Sequence, residues 1–177
     1  MIESYYWKEE LLRIGKCLRR VHAPPRSSER AYCVVERDIM IGFFMLRRLI
    51  ELRKVSNLTQ NARLSVFYYK STGKHVHKMN NHRIEELYQM QHEVSVQTTP
   101  GDIANQFIHA YTSFIVRDES RNWSDILIVS DFDRNERIWR IPISEIERIF
   151  RIAAKDHPHT AELVFNPKKG DYDIKTN

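Results

Sequence analysis

A chain of 177 residues with 42% hydrophobic and 29% charged side chains has the length of one domain, able to bury roughly two thirds of its unfolded surface, and average globular usage excludes global disorder. The longest apolar run, Ile39 to Leu46, is flanked by charges and too short to cross a bilayer, and the acidic, aromatic start MIESYYWKEE is unlike a signal peptide, so the expected setting is the cytoplasm without membrane contact. The net charge of +5 suits an anionic partner, while 5 glycines and no phosphate-loop motif argue against a nucleotide cradle and leave no cofactor expected.

From about Ser4 to His22 the residues Trp7, Leu11, Ile14, Leu18 and Val21 recur at helical spacing, which predicts a helix with one buried stripe. Its opposite face carries Arg13, Lys16 and Arg20, with Arg19 beside them, until Ala23-Pro24-Pro25 stops it. Ser27 or Ser28 can cap a second helix running to about Val55 and about 40 Å long. Tyr32, Val35, Ile39, Gly42, Leu46 and Leu49 form a heptad stripe, and Val34, Ile41 and Met45 make another side apolar. Such a helix is central to its domain or half of a homodimer interface through residues 28–55. The two helices are expected to form an antiparallel hairpin. Cys17 and Cys33 fall inside them without CxxC spacing, as reduced structural thiols would.

Beyond Ser56 the pattern turns β-branched and aromatic. Leu64 to Tyr69 reads as a strand, with Ser71-Thr72-Gly73 turning into a second over Lys74 to Met79. A helix is predicted from His82 to Met90 and a short strand over Glu93 to Val96. Thr99-Pro100-Gly101-Asp102 opens a helix to about Tyr111, with Ile103, Phe107 and Tyr111 buried. Phe114 to Val116, Ile126 to Val129 and Arg137 to Ile141 predict an antiparallel meander. Ser144 to Glu147 reads as a capping box for a helix with Ile146, Ile149, Phe150 and Ala153 on its buried stripe. Leu163 to Phe165 can add a last strand, before a polar tail over 167–177 that should fray. The expectation is one α+β domain: a helical hairpin over about 4–55, an α/β portion over about 62–166 and the tail.

Two constellations could carry function. Asp102, Asn105 and His109 share the polar face of the helix that begins at Pro100, where an imidazole can act as general acid or base near neutral pH. Asn105-x3-His109, followed by Tyr111, resembles the ribonuclease signature of the HEPN superfamily, which implies a small metal-independent RNase; Ala104 stands where that signature has Arg. The second is the basic stripe of Arg13, Lys16, Arg19 and Arg20, joined by Arg47, Arg48, Arg53 and Lys54, as a surface for nucleic acid. His75, His77 and His82 have spacing that permits a metal, but Lys74 and Lys78 would repel a cation, so no metal is expected there. Asp131-x-Asp133-x-Asn135 lacks the glycine and bidentate glutamate of a calcium loop and reads as a turn. The leading expectation is a non-catalytic binding or regulatory protein of bacterial type, acting on nucleic acid or on a protein partner; the alternative is the RNase.

Overall fold

The computed structural model describes residues 3–19 and 28–177. The expected proline stop at Pro24 and Pro25, the Ser27 cap, Val21 and Arg20 lie outside the described residues. In chain order the elements are α1 (Ser4–Cys17), α2 (Glu29–Glu51), α3 (Asn57–Gln60), β1 (Leu64–Ser71), α4 (Ile84–Leu87), β2 (Tyr88–Thr98), α5 (Pro100–Ile108), β3 (Ala110–Arg117), β4 (Trp123–Ser130), β5 (Arg137–Pro142), α6 (Ile143–Lys155), β6 (Ala161–Asn166) and β7 (Asp171–Thr176). The fold is α+β. Its five-stranded sheet has the order β2–β1–β5–β4–β3 with every pairing antiparallel, and β6–β7 form a separate two-stranded sheet.

Side chains alternate across a strand, and here both faces are used. Leu64, Val66, Ile126, Ile128 and Ile141 join Leu11, Ile14, Ile39, Phe43, Leu46, Ile103, Ile146 and Phe150 in the larger core, beneath α1, α2, α5 and α6. Tyr69, Leu127, Val129 and Ile138 face the other way and are covered by Val76, Leu87 and Tyr88. Phe43 knits the helices together, stacked on Phe107 at 4.3 Å between ring centroids and edge-on to Phe150 at 5.0 Å.

The α1 and α2 helices run antiparallel as expected: Trp7 lies against Phe44, while Glu10 and Arg13 face Arg37 and Asp38. They do not make a free-standing hairpin. Gly15 brings α1 against α6, where a Cβ would stand 3.7 Å from the Glu147 carbonyl oxygen and from Phe150 Cβ, and α2 packs on α5 through Phe43 and Phe107. The second apolar side of α2 divides: Met45 is buried and Val34 half-buried, whereas Ile41 is 44% exposed, and Phe44 outside that set is 52% exposed. Cys17 and Cys33 are unpaired and exposed. Among the described residues no helix is long and apolar enough to cross a membrane.

Several boundaries correct the expectation. Residues 74–79 form no strand; β1 pairs instead with β2 and β5, because lysines and histidines leave that segment only Val76 to bury. The helix expected over His82 to Met90 shrinks to α4, and Tyr88 begins a long strand whose first residue pairs with Ser71. α5 ends at Ile108, so Tyr111 belongs to β3 and packs in the smaller core rather than on the helix stripe. The Ser144 capping box does not form: α6 starts at Ile143 behind Pro142 with no side-chain cap, and Glu147, the expected partner of Ser144, accepts from Arg19 instead. The tail is ordered as β7, paired along its length with β6 and tied to the body where Thr176 Oγ1 donates to the Val55 carbonyl at 2.9 Å.

Candidate functional site

The three residues on α5 hold separate places. Asp102 makes the capping box of α5, accepting from the Thr99 amide and hydroxyl and from the Thr98 hydroxyl. Asn105 accepts from the Arg47 guanidinium of α2. Both line a shallow depression with Arg47, Glu51, Arg53 and Gln60, and His109 does not. His109 ends the helix, exposed, with its ring edge-on to Phe132 at 5.1 Å. The surrounding sheet also differs from the all-helical bundle that the HEPN resemblance implies.

The basic stripe of α1 is largely neutralised. Arg13 donates twice to Glu10, at 2.8 and 2.6 Å, and holds that carboxyl below its ordinary pKa. Arg19 pairs with Glu147 of α6 at 3.3 Å. Lys16 is exposed, and Arg20 lies outside the described residues. On α2, Arg47 and Arg48 both pair with Glu51. The histidines at 75 and 77 stand in an irregular loop rather than on one strand face: His75 Nδ1 contacts Asn135 Oδ1, and His77 Nδ1 accepts from the Met79 amide. Among the described residues no group of three His, Cys, Asp or Glu is placed to hold a metal ion.

Three cations, Lys8, Arg53 and Lys54, meet elsewhere. The antiparallel run of α1 and α2 brings the start of α1 beside the end of α2, and β6–β7 closes against the same end through Thr176 and Val55. A cavity of about 300 Å³ lies between them, lined by Ser4, Lys8, Arg53, Lys54, His157, Pro158, His159, Thr160, Ala161 and Thr176. None of these ten residues is acidic.

Lys8 lies at this cleft, only 3% exposed, with its ammonium donating to the Asp156 carbonyl. Burial pushes its pKa down, the Asp156 carboxylate pulls it back up, and Lys54 lowers it further. That carboxylate is itself committed, its Oδ2 accepting from the Ser56 amide at 2.7 Å, the Ser56 hydroxyl at 2.8 Å and the Thr59 hydroxyl. Arg53 adopts a left-handed backbone with φ 54° and donates to Gln60 Oε1; its charge also lowers the pKa of Asp173, after the larger effects of the Lys169 and Asn166 hydrogen bonds. The Lys54 amide closes the α2 terminus on the Leu49 carbonyl at 2.8 Å. His157 and His159 follow α6 on either side of Pro158, and the His159 amide is held by the Asn177 carbonyl at 2.9 Å.

In the sequence, Arg53 and Lys54 stand out only as additions to the α1 stripe and His157-Pro-His159 only as a weak metal motif at a helix end, while Lys8 does not stand out. Compared with known proteins, the chain matches no family model, no curated protein and no solved structure.

Proposed function

We propose that this chain is a non-catalytic nucleic-acid-binding protein that holds a strand by its phosphates in the cleft of Lys8, Arg53, Lys54, His157 and His159. The observation that carries this reading is the cleft's lining: three fixed cations and two imidazoles with no acidic side chain among them. Arginines of α1 and α2 are ion-paired with carboxylates, whereas Lys8 and Arg53 donate to the neutral oxygens of the Asp156 carbonyl and Gln60. Phosphates bound by lysine and arginine release condensed counterions, which supplies most of the sequence-independent affinity of such proteins. Ser4, at the cleft wall, is followed by Tyr5 and Tyr6, 54% and 68% exposed with their rings edge to face. Exposed aromatic rings are what single-stranded nucleic acid uses for base stacking.

The test is a mobility-shift titration of labelled single-stranded RNA, and separately DNA, over a salt series. Three phosphate contacts should give a log affinity against log salt slope of about −2 for single strands. Reversing Arg53 and Lys54 to Glu should weaken binding by more than about tenfold, while the same reversal at Arg13 and Lys16, one already paired and the other remote, should change it little. Binding indifferent to the Arg53 and Lys54 reversal would sink the reading, and the absence of any shift would point to a protein partner. The same gel reads cleavage; cleavage abolished by His109→Ala would replace this reading with the nuclease one.

A further inference from the structure

We infer that the cleft takes a terminal phosphate, the phosphomonoester end of a strand, in preference to an internal phosphodiester. The inference rests on the nucleic-acid reading and sharpens it to a ligand class. An internal phosphodiester carries one negative charge and leaves the site in two directions along its chain. A phosphomonoester carries close to two charges at neutral pH and three acceptor oxygens, and continues in one direction only.

The geometry matches the second. Lys8 is 3% exposed, at a cavity of about 300 Å³, so its ammonium is met only by a group that enters the depression rather than one that passes across its mouth. Its ammonium donates to a backbone carbonyl, that of Asp156, which accepts one of the three hydrogens an ammonium carries. The neighbouring Asp156 carboxylate binds Ser56 and Thr59 instead. With Arg53 and Lys54 the cleft holds three fixed cations against the one Asp156 carboxylate that acts on Lys8, a surplus that a singly charged diester does not offset, and Ser4 and Thr160 also line it. Burial that disfavours the charged form of Lys8 is a cost that a dianion in the cleft would relieve.

The experiment compares one single-stranded oligonucleotide prepared with a 5′-phosphate, a 3′-phosphate or hydroxyls at both ends, measured by fluorescence anisotropy with the full chain, with inorganic phosphate as competitor. A phosphorylated end should bind roughly tenfold tighter than the hydroxyl form, and which end does so identifies the strand polarity. Millimolar inorganic phosphate should erase that advantage, and Lys8→Met should abolish it. Should Lys8→Met prove unfolded by circular dichroism, Lys54→Gln, at a more exposed position, must still reduce the advantage. Equal binding of all three oligonucleotides overturns the inference and leaves the nucleic-acid reading standing. No binding of any oligonucleotide, with inorganic phosphate still raising the melting temperature of the wild type and not of Lys8→Met, overturns the nucleic-acid reading and keeps the phosphomonoester site.

Discussion

The Tyr88 hydroxyl donates to the Arg134 carbonyl at 2.8 Å from a side chain 2% exposed, and burial pushes its pKa up from 10.0 to about 12, with the Arg134 charge pulling weakly the other way. Tyr69 is shifted in the same direction, first by burial and then by its hydrogen bond to Glu93. A phenol whose folded pKa is raised stabilises the fold fully below the unfolded value and loses that contribution as pH climbs through the folded one. Stability should therefore fall by roughly 2–3 kcal/mol between pH ~10 and ~12 on account of Tyr88 alone. Urea denaturation across that window measures it. Tyr88→Phe should cost about 1 kcal/mol at neutral pH and visibly flatten the alkaline decline; an unchanged decline would mean that other groups cause it. Tyr88 was not legible as a core residue, because its neighbours Glu85, Glu86 and Gln89 gave it a helical, solvated look. Lys8 was hidden by the opposite error. It stands at the spacing Ser4, Lys8, Leu11, Gly15, Leu18, on the side that turns inward, and a lysine on an inward stripe is a signal in its own right, since lysines are almost never fully buried unless paired.

Gly42 shows how a helix with strong apolar periodicity is placed by one small residue. A Cβ at that position would stand 2.4 and 2.5 Å from the Phe150 ring, and that ring is fully buried and braced by Phe43. Alanine gains about 1 kcal/mol of helix propensity over glycine, but overpacking a closed core costs about 1–3 kcal/mol. Because Phe150 has Phe43 on one side and α1 on the other, the packing loss should win, and Gly42→Ala should lower stability by about 1 kcal/mol in thermal denaturation; a raised melting temperature would show that the ring yields. The elements read best from sequence are those whose buried face repeats: α2, α5 and α6, and the β3–β4–β5 meander, where turn residues separate short β-branched runs. Where one element's partner is distant the reading failed. β1 pairs with β2 and β5, from Ser71↔Tyr88 out to Leu64↔Thr98 and Tyr69↔Ile138, and the nearby Gly73 turn suggested a local hairpin that the polar residues after it could not bury. The tail failed in the same way, since β7 is ordered by β6 and by one bond from Thr176 to Val55, neither visible in its own polar composition.

At the scale of the molecule the cleft exists because segments from both ends of the chain meet at Asp156. This residue is the C-cap of α6; its carboxylate accepts three hydrogen bonds from Ser56 and Thr59 at the start of α3, and its carbonyl accepts from Lys8 of α1. The wall of histidines that follows it is placed by the same anchor. Removing the carboxylate leaves the Ser56 amide and two hydroxyls without their acceptor and Lys8 without its compensating charge, so Asp156→Ala should cost roughly 2–4 kcal/mol. The Asn variant separates the two roles, because an amide oxygen can still accept from Ser56 and Thr59 while the negative charge is gone. Asp156→Asn should keep more of the stability than Ala and, with one fewer anion beside the cleft, bind phosphate-bearing ligands at least as tightly as the wild type when the two are titrated side by side. Weaker binding by the Asn variant with its fold intact would mean that Asp156 orients Lys8 toward the ligand rather than merely holding the segments together, and would shift the emphasis from the charge of the cleft to the position of that single ammonium.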